Sequence, residues 1–225
     1  MHIRAYLFLL ALGILLPTML LSGLSLRMQH HAQQSAALGA LGQSANSVAL
    51  LVDRELYSAE AALRVLAASP SLPAREYRAF YTQARHVHAG EEGWSALFDV
   101  HGRELVNTAA PFGAPLRSAP DGGRTRQLIA AGKTVVSGVL PGGRDGQLGI
   151  TISLPVTLPD GSLYLLVRGF STDHFVALLT GSALPAGWLM AILDGNGRFI
   201  ARNVNATTLV GTLARPELVR ARSNT

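Results

Sequence analysis

The chain contains one short pattern twice. Each copy begins with a Gly-Trp pair, runs through an apolar, strand-like stretch and ends in an Asp-x-x-Gly-Arg turn, as GWSALFDVHGREL from Gly93 and as GWLMAILDGNGRFI from Gly187. Asp and Gly are residues that tight hairpin turns favour, so each copy predicts a β-hairpin. The repetition predicts two tandem copies of one small α/β module. The turn residues Asp99 and Asp194 are interpreted as turn formers and not as site residues.

The order of elements after the first hairpin predicts an α+β fold. A small helix is predicted at 124–131. Three strand candidates follow, at 134–140, 148–156 and 163–169. A hairpin, a helix and then antiparallel strands are typical of α+β domains and not of alternating βαβ units. A linking helix within 171–186, with Ser171 or Thr172 as its N-cap, then precedes the second copy.

The N-terminus predicts a membrane anchor. Residues 5–26 carry no charge and lie between Arg4 and Arg27, and about 20 such residues span a bilayer. A secretory signal cleaved near residues 22–25 is the alternative. No second apolar stretch of spanning length follows, so everything after residue 27 is expected outside the cytoplasm. In a bacterium this places the anchor in the inner membrane and the remainder in the periplasm.

A long amphipathic helix is predicted directly after the anchor. Apolar residues recur at steps of three and four from Leu41 to Leu66, which is the helical period. Ser69-Pro70 ends the pattern because proline cannot continue a helix. The helix either packs on its own domain's sheet or forms the seam of a homodimer, and the two roles are compatible. A shorter helix is predicted at about 75–86.

Composition and motifs exclude several classes of function. The net charge of +5 comes from arginines scattered singly, such as Arg144, Arg168 and Arg198, so a dispersed basic surface is expected and no nucleic-acid site. The glycine-rich run GVLPGGRDG lacks the Gly-Lys-Ser/Thr of a phosphate loop, and no Gly-x-Ser-x-Gly elbow occurs. His86 and His88 lack nearby carboxylate or thiol partners for a closed metal site. No catalytic residue, metal, cofactor or enzymatic activity is therefore expected in this chain.

The series of elements resembles the double Cache sensor domain of bacterial membrane receptors. It rests on the order of an anchor, a long helix, WSALFDVHGRELVNT, VVSGVL, ITISLPVTLPDGSLYLLVRGFS, a linking helix and WLMAILDGNGRFIARN. The resemblance implies two PAS-like antiparallel-sheet lobes on one long helix, with a small ligand in the membrane-distal lobe. Such receptors are sensor histidine kinases, diguanylate cyclases or chemoreceptors.

The resemblance also sets the expected domain boundaries. They are a transmembrane anchor at 1–27, a stalk helix at 28–69, a membrane-distal lobe at 70–170, a linking helix at 171–186 and the start of a second lobe at 187–225. The second lobe is expected to be incomplete, because its helix, its closing strands, a second membrane helix and an output domain are absent from the 225 residues. The Arg-x-Trp-Tyr signature of the family's amino-acid binders is also absent, and the nearest sequence is Tyr81-Thr-Gln-Ala-Arg85.

Ligand contacts are expected between the sheet of the first lobe and the helix-loop segment before it. Six candidates border that space: Arg85, Trp94, Asn107, Thr108, Ser137 and Asp173. Arg85 has the geometry to pair with a carboxylate and Asp173 the charge to hold an amine. Structural roles are the alternatives, with Trp94 in the core, Asn107 at a strand end and Asp173 in the first turn of the linking helix.

The sequence therefore predicts the extracytoplasmic ligand-sensing region of a membrane-bound receptor. Its expected partners are a small molecule of the organic acid, amine or amino acid class, the membrane and a second copy of the chain. The main alternative is an anchored or secreted small-molecule-binding protein without its own output domain. A further alternative is an exported hydrolase whose catalytic part lies beyond residue 225.

Overall fold

The structure is a computed structural model that describes residues 39–87, 93–116, 122–142, 146–182 and 187–216. The predicted anchor at 1–27 and the start of the predicted stalk helix lie outside these residues. Within the described ranges, no helix is both long and apolar enough to cross a membrane. The chain divides into two compact units between Ser47 and Val48. In the first unit, residues 39–47 are helical.

The second unit begins with helix α1, which spans residues 48–67. In chain order it continues with α2 (Tyr77–Val87), β1 (Trp94–Asp99), β2 (Glu104–Asn107), α3 (Gly123–Ala130), β3 (Val135–Val136), β4 (Leu140–Pro141), β5 (Leu148–Thr157), β6 (Leu163–Ser171), α4 (Thr172–Gly181), β7 (Ala191–Leu193), β8 (Phe199–Arg202) and α5 (Ala206–Leu209).

Helix α1 buries one face against the sheet. Its fully buried residues Ala59, Leu63 and Leu66 follow one another at helical spacing. The helix ends where proline was expected to end it, and Ser69 N donates a 3.1 Å hydrogen bond to Leu66 O in its last turn. The predicted long amphipathic helix is therefore confirmed over its described part.

The main sheet is antiparallel and has six strands. Its order is β2-β1-β6-β5-β3, and β4 pairs with β5 as well. The long strands β5 and β6 form the centre, joined by a turn in which Ser162 N donates a 2.8 Å hydrogen bond to Asp160 Oδ1. The predicted combination of helices with an antiparallel sheet is thus confirmed.

Both faces of this sheet are buried. On one face, Leu97, Leu166 and Leu154 are register neighbours across β1, β6 and β5, and they join the hydrophobic core that includes α1. Ala96, Val167 and Ser153 are also register neighbours and are buried. Because side chains alternate along a strand, these small residues lie on the face opposite α1.

The structure differs from the predicted strand at 134–140. That segment forms the two short strands β3 and β4, separated at Ser137 and Gly138. Ser137 N donates to Thr151 O at 2.8 Å, and Ser137 Oγ accepts from Thr151 N at 2.9 Å. The Ser137 hydroxyl thus accepts the Thr151 N–H hydrogen bond that a backbone carbonyl would accept in a regular sheet. The strand is therefore interrupted at Ser137.

The second hairpin forms its own two-stranded sheet from β7 and β8. Its pairing shifts register between Ile192 and Leu193, as the first hairpin's does between Leu97 and Phe98. Helix α4 packs against β8, and Ser171 Oγ caps α4 by accepting from His174 N at 3.3 Å. The two hairpins therefore share a local irregularity as well as a sequence pattern. The predicted division into two lobes stays a prediction.

Candidate functional site

A cavity of about 250 Å³ opens on the sheet between the start of β1, the start of β5 and the end of β6. It is lined by Gly93, Trp94, Ala109, Gly142, Gln147, Leu148, Gly149, Ile150, Thr151, Phe170 and Ser171. Pockets for drug-sized ligands measure about 300–1,000 Å³. The cavity is therefore of a size for a small metabolite.

The glycine at position 169 makes room for the ring of Trp94, which lines the cavity. Trp94, Gly169 and Thr151 are register neighbours across β1, β6 and β5. A side chain on Gly169 would overlap the indole ring of Trp94. The indole therefore lies across the strand at this point and forms part of the cavity wall on the face opposite α1.

A buried cation lies beside this wall. Arg168 is 0% exposed, and its guanidinium carbon is 5.0 Å from the centroid of the Phe170 ring. A Cβ on Gly93 would lie 3.3 Å from the same guanidinium. An arginine stays charged in a protein, so a positive charge lies directly behind two lining residues. The expectation that Arg168 belongs to a dispersed basic surface is therefore wrong.

Of the six residues predicted from the sequence, Trp94 lines the cavity. Its side chain is only half-buried. The ring therefore packs against Gly169 and is also accessible from the cavity. An indole offers an apolar face and one N–H donor. Trp94 can therefore contact both the apolar and the polar parts of a small ligand.

Asn107 and Thr108 lie at the end of β2 and support the cavity wall from behind. Asn107 Oδ1 accepts a 2.8 Å hydrogen bond from the amide of Ala109, a lining residue. Thr108 Oγ1 accepts from Ser95 N at 2.8 Å, and Thr108 N donates to Ser95 O at 2.9 Å. These bonds extend the β1–β2 ladder, so both side chains have structural partners there.

Ser137 also acts behind the wall, because its two hydrogen bonds hold the backbone of the lining residue Thr151. Arg85 is exposed on α2, and its Nη1 lies 3.5 Å from the hydroxyl of Tyr81. Asp173 is exposed in the first turn of α4. Neither Arg85 nor Asp173 is among the described residues that line the cavity.

Sequence reasoning missed the polar residues Gln147, Thr151 and Ser171 of the wall. Thr151 and Ser171 lie on the central strands, and Gln147 directly precedes β5. The alternating pattern of β5 marks Thr151 as facing away from Ile150 and Ile152, and this is the only local signal for it. Their convergence depends on the antiparallel register of β5 and β6, which no single segment reveals.

The two repeated aspartates are ionised turn residues. Burial raises the pKa of Asp194 and is the largest single effect, but hydrogen bonds from the amides of Arg198, Val139 and Asn196 together outweigh it and hold that pKa below its usual value. The same balance lowers the pKa of Asp99, where Arg103 is the main donor. Both carboxylates are therefore charged at neutral pH.

Two further depressions occur on the described surface. One follows the outer face of α2, where His86 Nδ1 lies 2.7 Å from Thr82 O. The other lies between α1 and α4, beside the contact of 3.2 Å between His174 Nε2 and Glu55 Oε2. Among the described residues, no group of three or more His, Cys, Asp or Glu side chains could hold a metal ion.

Comparison with known proteins places the fold. The chain matches no protein-family model. It also has no significant match among curated protein sequences.

Solved structures do match. The ligand-binding domain of the Pseudomonas aeruginosa PAO1 amino acid chemoreceptor PctC, in complex with GABA, aligns with a TM-score of 0.55 at 18% identity, over 76% of this chain and 75% of that one. The isoleucine-bound sensory domain of the Campylobacter jejuni chemoreceptor Tlp3 aligns with a TM-score of 0.58 at 13% identity, over 81% and 75%.

The sensor domain of the V. cholerae histidine kinase DctB aligns with a TM-score of 0.59 at 12% identity, over 85% of this chain and 77% of that one. All three are sensor or ligand-binding domains and none is a catalytic domain. The chain has the fold of these Cache-type sensor domains, so the predicted resemblance is confirmed at the level of the fold.

Proposed function

We propose that this chain is the ligand-sensing region of a membrane-bound signal-transduction receptor of the histidine kinase, diguanylate cyclase or chemoreceptor type. The observation that carries the proposal is the cavity of about 250 Å³ on the sheet, in a fold shared with ligand-binding sensor domains. The protein binds a ligand there, and the chemistry of signalling belongs to another part of the receptor.

The ligand is a small molecule of the amino acid, organic acid or amine class. The PctC and Tlp3 domains hold GABA and isoleucine, which are molecules of that size. In this chain, the cavity wall offers the Trp94 ring together with the polar side chains of Gln147, Thr151 and Ser171. That combination of one aromatic face and a few polar groups suits a compact polar ligand.

The roles predicted for Arg85 and Asp173 remain predictions. Neither residue lines the cavity among the described residues. The buried guanidinium of Arg168 behind Gly93 contributes a positive charge near the wall.

The placement in the cell and the assembly follow from the same proposal. The anchor is at 1–27, and the sensing region from residue 28 onward lies outside the cytoplasm, with lobes at 70–170 and 187–225. The outer face of α1 exposes 61% of Leu50, 72% of Tyr57 and 55% of Val65. An apolar stripe of this kind on a helix supports a homodimer through α1.

The same cavity also supports an anchored or secreted binding protein without its own output domain. That alternative involves the same binding step and differs only in the consequence of binding. A receptor transmits the bound state along the chain, whereas a carrier protein only holds the ligand.

A thermal-shift screen of the full chain against amino acids, organic acids and amines tests the proposal. A ligand at about 100 times its Kd stabilises the folded state by about 2.7 kcal/mol, which raises the Tm of a chain of this size by about 5–10 °C. The variant Gln147→Trp places a bulky ring in the cavity from an exposed position, and it should abolish the shift.

Gln127→Trp is the matched control, because Gln127 is exposed on α3 and outside the cavity lining. It should keep the full shift. A shift that survives in Gln147→Trp would place the ligand elsewhere on the chain. A folded wild-type protein that no compound in the screen stabilises would contradict the proposal.

A further inference from the structure

The hairpin of β7 and β8 and the segment after it contact the main sheet at two points near the cavity. At the first point, Asp194 Oδ2 accepts a 2.9 Å hydrogen bond from the amide of Val139, a residue 55 positions earlier in the chain. Asp194 Oδ1 meanwhile accepts from Asn196 N and Arg198 N within its own turn. One oxygen therefore forms the turn, and the other holds a distant segment.

The residue before Val139 is a glycine, which leaves space for this carboxylate. A Cβ on Gly138 would lie 2.6 Å from Asp194 Oδ2, which is closer than real side chains approach an oxygen. Position 138 therefore tolerates only glycine while the hydrogen bond is in place. The hydrogen bond and the lack of space at position 138 thus both follow from the close approach of Asp194 Oδ2.

At the second point, Gly211 packs closely against the side chain of Leu148. Gly211 has a φ of +83°, and the side chain of Leu148 occupies the space that a Cβ would need there. Gly211 is fixed to the hairpin because its amide donates a 2.8 Å hydrogen bond to Phe199 O in β8. Leu148 lines the cavity, so this contact reaches the wall directly.

The first contact point, at Val139, is also only a few residues from the cavity wall. Val139 continues into β4, whose Leu140 and Pro141 pair with Gly149 and Leu148 of β5. Both of these partners line the cavity. A displacement of the wall at the start of β5 therefore displaces the two places where the second hairpin is held.

The first copy of the repeat uses the equivalent carboxylate differently. Asp99 Oδ1 accepts from His101 N and Arg103 N, as Asp194 Oδ1 does in its own turn. Asp99 Oδ2, however, accepts from Arg103 Nε at 2.6 Å, within the same hairpin. The two copies thus share the turn and differ in what the second oxygen holds.

From these contacts we propose that Asp194 and the Gly211–Leu148 contact form a two-point link that couples the cavity wall to the β7–β8 hairpin. The link gives the second repeat a role in transmission: a ligand that orders the wall also orders the hairpin. Coupling between two sites is reciprocal, so changes made on either side must appear on the other. The inference rests on the proposed function only in taking the cavity as the ligand site.

Hydrogen exchange measured by mass spectrometry on the full chain without ligand tests the link. In Asp194→Asn, the amide oxygen can still accept from the turn, but an NH₂ group replaces the acceptor that faces Val139 N–H. Exchange in the segment 135–151 is expected to accelerate by about fivefold or more. In the matched control Asp99→Asn, exchange in that segment is expected to stay at the wild-type rate.

Gly138→Ala tests reciprocity from the other side of the link. It is expected to accelerate exchange in the hairpin at 191–202, whereas Gly181→Ala, which has open space around it, leaves that segment unchanged. Acceleration confined to the mutated segment in both Asp194→Asn and Gly138→Ala would overturn the link. Circular dichroism of each variant shows that it is folded.

The experiment separates the link from the proposed function. If the exchange rates change as expected and no ligand is found, the proposed link is supported and the proposed ligand site is contradicted. If a ligand is found that Gln147→Trp blocks, it should slow exchange at 191–202 by about twofold or more in the wild type and by clearly less in Asp194→Asn, which keeps only the Gly211–Leu148 contact. Equal slowing in both proteins would overturn the link and leave the proposed function intact.

Discussion

Trp94 and Gly169 face each other across β1 and β6, and the indole of Trp94 occupies the space that a side chain at position 169 would need. This pairing fixes the position of a ring that lines the cavity, because the ring can lie across the strand only where its neighbour has no Cβ. A tryptophan in the first hairpin and a glycine 75 residues later, by their numbering, are thus one structural element.

Gly169→Ala should therefore displace the Trp94 ring and destabilise the fold. Overpacking of this kind costs about 1–3 kcal/mol, and the loss should appear as a lower urea midpoint with a changed tryptophan emission spectrum. Gly181→Ala is the control, since nothing lies within 4 Å of a Cβ at that position. Wild-type stability in Gly169→Ala would show that the indole has other space available.

The acid response should depend on Asp194. Its folded-state pKa is lowered, so its contribution to stability is fully present above the pKa of the unfolded chain and is lost as the pH falls through the folded value. At pH 7, Asp194→Asn should lose about 1–3 kcal/mol of unfolding free energy. As the pH falls below the ordinary carboxyl pKa of about 3.9, the difference from wild type should shrink progressively, because the unfolded chain then binds a proton more readily than the folded Asp194 carboxylate does.

Urea denaturation at pH 7 and at pH 3 measures this change. Asp53→Asn is the control, because Asp53 is exposed within α1 and away from its ends, and its unfolding free energy should stay within about 0.5 kcal/mol of wild type. A difference between wild type and Asp194→Asn that stays constant over this pH range would contradict the electrostatic account.

Arg168→Ala should be strongly destabilising although the residue is charged. The side chain is fully buried, and its guanidinium packs on Phe170. Its removal leaves a large void and loses a desolvated cation–π contact, together worth about 2–5 kcal/mol. Arg124→Ala, at an exposed position of α3, should change the unfolding free energy by less than about 0.5 kcal/mol. Similar losses in the two variants, measured by urea denaturation, would contradict the burial of Arg168.

The parts of the fold that the sequence predicted well are those that local chemistry determines. The turns at Asp99 and Asp194 were predictable because their hydrogen bonds lie within five residues of chain, and α4 was predictable from its Ser171 cap. The end of α1 shortly before Pro70 was predictable for the same reason. Each of these features needs no knowledge of distant residues.

The features that escaped prediction depend on distant residues. The break between β3 and β4 depends on Thr151 and on Asp194, which approaches Gly138 from 56 positions later, by their numbering. The burial of Arg168 depends on neighbouring strands and not on its own apolar surroundings in LLVRGFS. The cavity depends on the register of three strands, so a sequence-based choice found Trp94 but not Thr151.

The outer face of α1 makes the assembly testable. Leu50, Tyr57 and Val65 are seven and eight residues apart, which places them on one helical face, and they are 61%, 72% and 55% exposed. If this stripe is the seam of a homodimer, Tyr57→Glu places a charge in its centre. Aromatic residues at interface centres are typical hot spots, so the dimer Kd should rise by about tenfold or more.

Analytical ultracentrifugation over a range of protein concentrations measures that Kd, and urea denaturation shows that the variant is folded. Gln127→Glu is the control, because Gln127 is exposed on α3 and lies outside the stripe on α1. It should leave the Kd within about twofold of wild type. A wild-type protein that stays monomeric at about 100 µM, well above the Kd of a stable dimer, would show that the stripe serves another partner or none. Equal weakening by both variants would indicate a general effect of added negative charge and would remove Tyr57 from the seam.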